Sequence, residues 1–246
     1  MAKWHEGRVV ETRHWTQALF SLRVEGPPLG FQAGQFVRIA LDIGGERVAR
    51  PFSFVNPPDQ PTLEFYGVIV PEGPLSPSLA RLEPGDALYY ADNPSGFLIL
   101  AEVPPAEELW LVSTGTGIAP FLSILRTGVP WQTYRRVILV HAVRRANELV
   151  YRDVIDETTQ RRGEQFRYVT FVSREPHPGS LEGRIPAAIR DGRLEAAAGA
   201  FAPERSQFML CGNPDMVKEV QAALAERGLR KHRRRAPGQV TVERFW

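Results

Sequence analysis

The chain reads as two domains, an antiparallel β-barrel followed by an α/β parallel-sheet domain, and three observations predict this. Up to about residue 100, short runs of β-branched and aromatic residues alternate with Gly/Pro turns at even spacing, the pattern of an antiparallel barrel. From residue 109 onward, apolar strands alternate with helical stretches, which indicates a parallel sheet. Between them, residues 101–108 carry Pro104-Pro105 and read as a linker. The expected limits are therefore 1–100, 101–108 and 109–246.

In the first domain, residues 8–12 and 18–24 alternate as strands do, and Gly26-Pro27-Pro28 breaks the chain. Residues 35–41 and 47–55 follow, with Asp42-Ile43-Gly44-Gly45 between them as a hairpin-type turn. Asn56-Pro57-Pro58 ends that pair. Residues 63–70 are the strongest strand, rich in β-branched and aromatic side chains. A short helix is expected after Gly73-Pro74-Leu75, with Ser76 as N-cap and Pro77 at the first helical position. Pro84-Gly85-Asp86 then turns into a strand at 87–90. In the second domain, strands are expected at 109–112, 137–142, 167–172, 207–211 and 240–245. Helices are expected from 121–126, 147–160 and 215–227.

Composition narrows the class. The 246 residues are 43% hydrophobic and 24% charged, ordinary values for a folded globular protein. No apolar run is long enough to span a bilayer, and the first residues lack the apolar core of a secretory signal. The single cysteine, Cys211, excludes an internal disulfide and a cluster held by four thiolates of this chain. These features favour a cytoplasmic location and no membrane partner. A net charge of +2 gives no reason to expect nucleic acid, and no metal ligand set stands out.

Arg50-Pro51-Phe52-Ser53 is the stretch around which the chain is organised. Pro51 fixes its own φ and pushes Arg50 to an extended conformation, so Arg50 and Phe52 share one strand face and Ser53 takes the other. A guanidinium can grip a phosphate with two bonds. The aromatic supplies a flat wall and the serine one small hydrogen-bonding group. A flat ligand with a phosphate tail would use all three. Ser76, at the start of the short helix, is a candidate for the same phosphate.

In the second domain, Thr114-Gly115-Thr116-Gly117-Ile118-Ala119-Pro120 joins a strand to a helix. Gly115 and Gly117 allow a pyrophosphate close approach, although Pro120 stands where a full dinucleotide fingerprint has its third glycine. The loops after successive strands carry Arg144, Ser173 with Arg174, and Arg184. Arg144 follows the second strand, where an NAD site would have an acid, and together these residues suit an adenosine 2′-phosphate, favouring NADP. The run Arg230-Lys231-His232-Arg233-Arg234-Arg235 suits either a solvated loop or a dock for an acidic partner. The chain ends on Phe245-Trp246, two aromatics suited to covering something flat.

Taken in order, these motifs resemble the bacterial ferredoxin (flavodoxin)–NADP⁺ reductases of the plant-type reductase superfamily. Arg50-Pro51-Phe52-Ser53 is similar to the family's Arg-x-Tyr-Ser flavin motif, and Glu64-Phe65-Tyr66-Gly67-Val68 to its isoalloxazine strand. Gly73-Pro74-Leu75-Ser76-Pro77-Ser78-Leu79 is similar to its pyrophosphate turn. The glycine loop at 114–120 and Cys211-Gly212-Asn213-Pro214 complete the set. The resemblance implies FAD in the barrel domain, facing an NADP(H) site. Arg50 and Ser76, with Pro74 and Leu75, would then hold the pyrophosphate. Phe52 with Pro51, and Phe245, would flank the isoalloxazine beside Tyr66 and Val68, and Trp246 would lie near the adenine. Ser53 would lie near flavin N5. Thr116 and Cys211 would border the nicotinamide, and Glu243 would handle protons. Phe52 and Phe245 replace tyrosines common at those positions, so their hydroxyls are missing. The implied activity passes electrons between NADPH and a ferredoxin or flavodoxin, from a monomer. Alternatives are a reductase feeding an oxygenase, free flavin or ferric iron, and a flavin-binding redox sensor.

Overall fold

The computed structural model describes residues 3–244. Its first half is a six-stranded antiparallel sheet. The strands are β1 (Trp4–His14), β2 (Leu19–Glu25), β3 (Phe36–Ile43), β4 (Glu46–Ser53), β5 (Leu63–Val68) and β6 (Ala87–Ala91), in the order β4-β3-β6-β1-β2-β5. The two edges meet where Phe54 bridges Phe65, so the sheet curls into a barrel. Its interior holds Phe20, Leu22, Val24, Ile39, Phe54 and Phe65, contributed by alternate strand positions. A four-residue helix, α1 (Ser76–Leu79), plugs one end through buried Leu75 and Leu79.

The second half is a parallel sheet ordered β10-β9-β8-β7-β11-β12. Its strands are β7 (Glu108–Thr114), β8 (Arg136–Val143), β9 (Phe166–Val172), β10 (Leu181–Glu182), β11 (Ser206–Gly212) and β12 (Val240–Arg244). The central strands are covered on both faces, which is why Leu109–Val112 and Val137–Val140 are unbroken apolar runs. The helices are α2 (Ala119–Leu125), α3 (Val129–Thr133), α4 (Arg152–Arg162), α5 (Ile185–Arg190), α6 (Arg193–Ala198) and α7 (Pro214–Ala225). Asn213 caps α7 by accepting from the N–H groups of Asp215 and Met216.

Several expectations need correction. Ser76 is the first helical residue rather than the N-cap, and Leu75 holds the cap position without a side-chain bond. The Ser76 hydroxyl instead accepts from the Val70 N–H at 2.9 Å, stapling the loop that enters the helix. The strand expected to reach residue 70 stops at Val68. The helix expected from 147 starts only at Arg152. Glu148 folds back to accept from the N–H groups of Arg144 and Arg145, and Tyr151 takes a left-handed φ of 58°. The short strand β10 and the helices α5 and α6 were not anticipated. The last strand is described to Arg244, and Phe245 and Trp246 lie outside the described residues.

The two domains share one apolar cluster. Leu19, Val55, Tyr66 and Leu98 of the barrel pack with Leu111, Phe121, Ile124 and Cys211 of the second domain. Polar links reinforce it. Ser123 donates to the Asn56 carbonyl at 2.7 Å, and Arg126 reaches Glu64 at 3.0 Å and Gln60 at 3.2 Å. Tyr151 shares a 2.7 Å hydrogen bond with Ser21.

At the opposite end of the parallel sheet, the Glu108 side chain is 1% exposed. It accepts from Ser206 at 2.9 Å and faces Arg136 at 3.5 Å and Arg205 at 3.8 Å. Removing one member of a buried charge network leaves the others uncompensated. Glu108→Ala is expected to cost about 3 kcal/mol of stability with the second-order nucleotide kinetics unchanged. Denaturant unfolding checks it, and a loss below about 1 kcal/mol would show the network to be ordinary surface pairing.

Candidate functional site

The site is built where the barrel's β4 and β5 meet the carboxyl ends of the parallel strands. On β4, Arg50 is exposed, and among the described residues its guanidinium donates only to the neighbouring Ala49 carbonyl, at 2.8 Å. Pro51 is exposed beside it. Phe52 is half-buried, its ring meeting Phe65 edge-on at 6.4 Å. The ring also lies over Gly67 of β5, where a Cβ would come within 2.9 Å of it. Only a glycine lets the two strands close with an aromatic between them. Ser53 ends β4, buried, opposite Phe36 of β3.

On β5, Tyr66 is buried and Val68 packs against the second domain's core. The glycine loop lies against this strand. It forms a short 3-10 turn, Gly115–Ile118, before α2. Gly117 sits directly on the end of β11, since a Cβ there would come 2.6 Å from the Cys211 carbonyl oxygen. Thr116, between the two glycines, is half-exposed, whereas Cys211 beneath is fully buried. Burial pushes the Cys211 thiol well up, so it stays protonated.

Glu243 on β12 stands in register with Cys211 and reaches across to Gly96 of the first domain. Gly96 in turn lies against Phe36, the register partner of Ser53. The carboxyl of Glu243 is pushed up to about 7 by burial, partly offset by the Phe97 backbone N–H. The Ser53 hydroxyl, the Tyr66 hydroxyl and Glu243 Oε2 are all buried without a hydrogen-bond partner among the described residues. Burial first, and then the charge of Glu148 and the Tyr168 hydroxyl, push the Tyr66 hydroxyl well above its usual range. An unmet buried polar group costs about 1–3 kcal/mol, so each of these groups is a place where a ligand can supply the missing partner.

The linkage sign for Glu243 follows from its raised value. Its protonated form is favoured in the folded protein, so its contribution is fully present below about pH 4.5 and is lost as pH rises through 7. The melting temperature of flavin-free wild type should fall between pH 5 and 8 relative to Glu243→Gln. Parallel curves for the two proteins would mean that Glu243 ionises freely.

The nucleotide-phosphate candidates fall on the adjacent edge. Arg144 follows β8, and Ser173-Arg174 follow β9. The Arg174 N–H donates to the Arg144 carbonyl at 2.9 Å, and the Ser173 hydroxyl to the Val143 carbonyl at 3.2 Å. These three residues are brought together. Arg184 follows β10, the next strand of the sheet, but its exposed guanidinium leans toward Glu219 of α7, at 3.9 Å.

Sequence reasoning missed three residues that organise this region: Arg126 and Tyr151, which tie the domains, and His141, buried beneath the glycine loop. A histidine inside the apolar run 137–142 was the available signal. A separate groove of about 470 Å³ between the domains, lined by Arg13, Trp15, Glu64, Arg126 and Asp153 among others, contains none of the expected site residues.

Residues 9–96 match the oxidoreductase FAD-binding domain and residues 111–222 the oxidoreductase NAD-binding domain. The chain is 49% identical over 248 residues to flavodoxin/ferredoxin–NADP reductases of Shigella flexneri and of Escherichia coli, covering 100% of each chain. A crystal structure of a ferredoxin NADP⁺ reductase from Neisseria gonorrhoeae with bound FAD and NADP superposes with a TM-score of 0.95. That protein is 33% identical, with full coverage of both chains.

Proposed function

This chain belongs to the flavodoxin/ferredoxin–NADP reductase family, and from that premise we propose how its own residues carry the reaction. It is an FAD-containing oxidoreductase that exchanges electrons between NADP(H) and a ferredoxin or flavodoxin. FAD, when bound, supplies hydride exchange with the nicotinamide and single-electron exchange with the protein partner.

Arg50 and the Pro74-Leu75-Ser76 turn hold the pyrophosphate of FAD. Phe52, with Pro51, Tyr66 and Val68, walls the ring system by stacking and burial. Ser53 offers its hydroxyl to the reacting edge of the ring. Glu243 holds or releases a proton beside it, and its value of about 7 suits that role near neutrality. Thr116, over Cys211, borders the nicotinamide. Arg144, Ser173, Arg174 and Arg184 take the 2′-phosphate. By the family resemblance Phe245 and Trp246, which lie outside the described residues, would cover bound FAD, with Phe245 as a gate that yields to nicotinamide. The observation that supports this reading best is the trio of unmet buried groups, Ser53, Tyr66 and Glu243, between the two domains.

The partner docks beside the cleft on the basic loop before β12. Arg230, Lys231, Arg233 and Arg235 are exposed there, and Arg234 is tied to Glu102 at 2.6 Å and lies 4.5 Å over Phe97. Phe97 is 58% exposed, so the patch combines positive charge with an apolar contact, suited to an acidic redox protein. No helix among the described residues is long and apolar enough to cross a membrane, and the enzyme works as a cytoplasmic monomer.

The test is anaerobic titration of the purified flavoprotein with NADPH and NADH separately, followed by cytochrome c reduction relayed through flavodoxin or ferredoxin. NADPH should bleach the flavin far faster than NADH, and the relayed rate should fall with salt. A protein purified without FAD, or one whose flavin NADPH leaves oxidised, would overturn the reading.

A further inference from the structure

One register row crosses the parallel sheet just below the site: Glu243 of β12, Cys211 of β11, Ser113 of β7, His141 of β8 and Thr170 of β9. All five belong to the sheet face that carries the cluster shared with the barrel, since alternate residues such as Leu111, Leu139 and Met209 lie in that cluster. In a sheet otherwise apolar at this depth, a polar row needs partners. Ser113 donates to the Val140 carbonyl at 3.1 Å, and Thr170 shares a 2.6 Å bond with Ser180. His141, fully buried, places Nε2 3.1 Å from the carbonyl oxygen of Gly115 and Nδ1 3.4 Å from the Tyr168 hydroxyl.

We infer that His141 is a positioning residue for the nicotinamide nucleotide, acting through the carbonyl of Gly115, and this rests on the reading of the 114–120 loop as the nucleotide's seat. A carbonyl oxygen can only accept, so Nε2 must carry the proton and donate. Nδ1 is then an acceptor, and the Tyr168 hydroxyl turns its proton toward it. The chain of donors runs from Tyr168 through the ring to the loop and fixes the tautomer. Burial holds His141 down at about 4, so the ring stays neutral across the working range. Gly115 is the loop's first residue and takes a left-handed φ of 53°. Anchoring its carbonyl on β8 while Gly117 rests on β11 pins the turn from both sides. Thr116, the residue that meets the nucleotide, lies between the two pins. Without the histidine bond, the Gly115 carbonyl loses its anchor to β8 and the turn is free to relax. His141 itself touches no reacting atom.

The experiment uses the FAD-loaded enzyme. His141→Ala is expected to raise KM for NADPH about 10-fold, the loss of one buried hydrogen bond, with kcat within about 2-fold and the flavin spectrum unchanged. His141→Gln, whose side-chain amide can reach the same carbonyl, should bring KM back to within about 3-fold of wild type. Tyr168→Phe releases Nδ1 and should raise KM about 3-fold. Unchanged KM in His141→Ala overturns the inference, and so does equal impairment in the Ala and Gln variants, which would assign the residue to packing alone. If the Ala variant does not accumulate with flavin, the Gln and Phe variants decide. A Tyr168→Phe enzyme with wild-type KM, or a Gln enzyme impaired 10-fold or more, is then the overturning result. The wild-type preference for NADPH over NADH is measured separately, so failure of the functional reading cannot be mistaken for failure of this one.

Discussion

Replacing Arg174 with alanine is expected to lower kcat/KM for NADPH about 100-fold, while leaving NADH within about 2-fold. Arg144 and Arg174 sit side by side because a backbone hydrogen bond of 2.9 Å joins their loops. The acids at this edge are engaged elsewhere: Glu148 accepts from the backbone N–H groups of Arg144 and Arg145, and Glu175 from the Arg145 guanidinium at 3.3 Å and the Ala146 N–H at 2.7 Å. Among the described residues, neither the Arg144 nor the Arg174 guanidinium has a carboxylate within salt-bridge distance, so both stay available to an incoming phosphate. A 2′-phosphate brings a near-dianion to that edge, and a charge-assisted bond is worth about 1.5–3 kcal/mol. NADH lacks the phosphate and should lose little. Arg184→Ala should have a smaller effect, because Glu219 partly offsets its charge. Steady-state kinetics with both nucleotides decide the matter, and an equal loss with each would place these arginines outside the nucleotide site.

Ser53→Ala should produce two changes of opposite sign. Flavin reduction by NADPH is expected to slow about 100-fold, the size of effect seen when one preorganised donor is removed from reacting atoms. The flavin-free protein should become more stable, by about 1–2 kcal/mol, because the buried hydroxyl has no partner and its removal ends a desolvation penalty. A structural serine would behave in the opposite way, with stability falling and the rate holding. Stopped-flow bleaching and the denaturant midpoint of the apoprotein separate the two cases. A lower midpoint would show that the hydroxyl is satisfied by the chain itself.

The placement of the candidate motifs was legible because they are local. Arg50-Pro51-Phe52-Ser53 is extended by the steric demand of a proline, and the alternation of a strand assigns its faces without reference to the rest of the chain. The arginine loops were legible for a related reason: a parallel strand leads its following residues to the ligand edge wherever it lies in the sheet. The start of α4 was not legible. Glu148 captures two backbone N–H groups and Tyr151 adopts a left-handed turn to reach Ser21 of the other domain, so a contact 130 residues away overrides a helical pattern. The role of Ser76 was misjudged similarly, since its hydroxyl serves the Val70 N–H rather than its own helix.

The antiparallel barrel followed by a parallel α/β sheet, and most of the strands in each, follow from periodicity and residue type, which short-range sterics and burial impose. Tertiary structure alone decided which groups lack partners and which are held. It brings Glu243 across to the barrel, raises its carboxyl toward 7, leaves Ser53 and Tyr66 unmet, and sets His141 under the Gly115 carbonyl. Desolvation and hydrogen-bond satisfaction depend on everything packed around an atom, and most of those neighbours are distant along the chain.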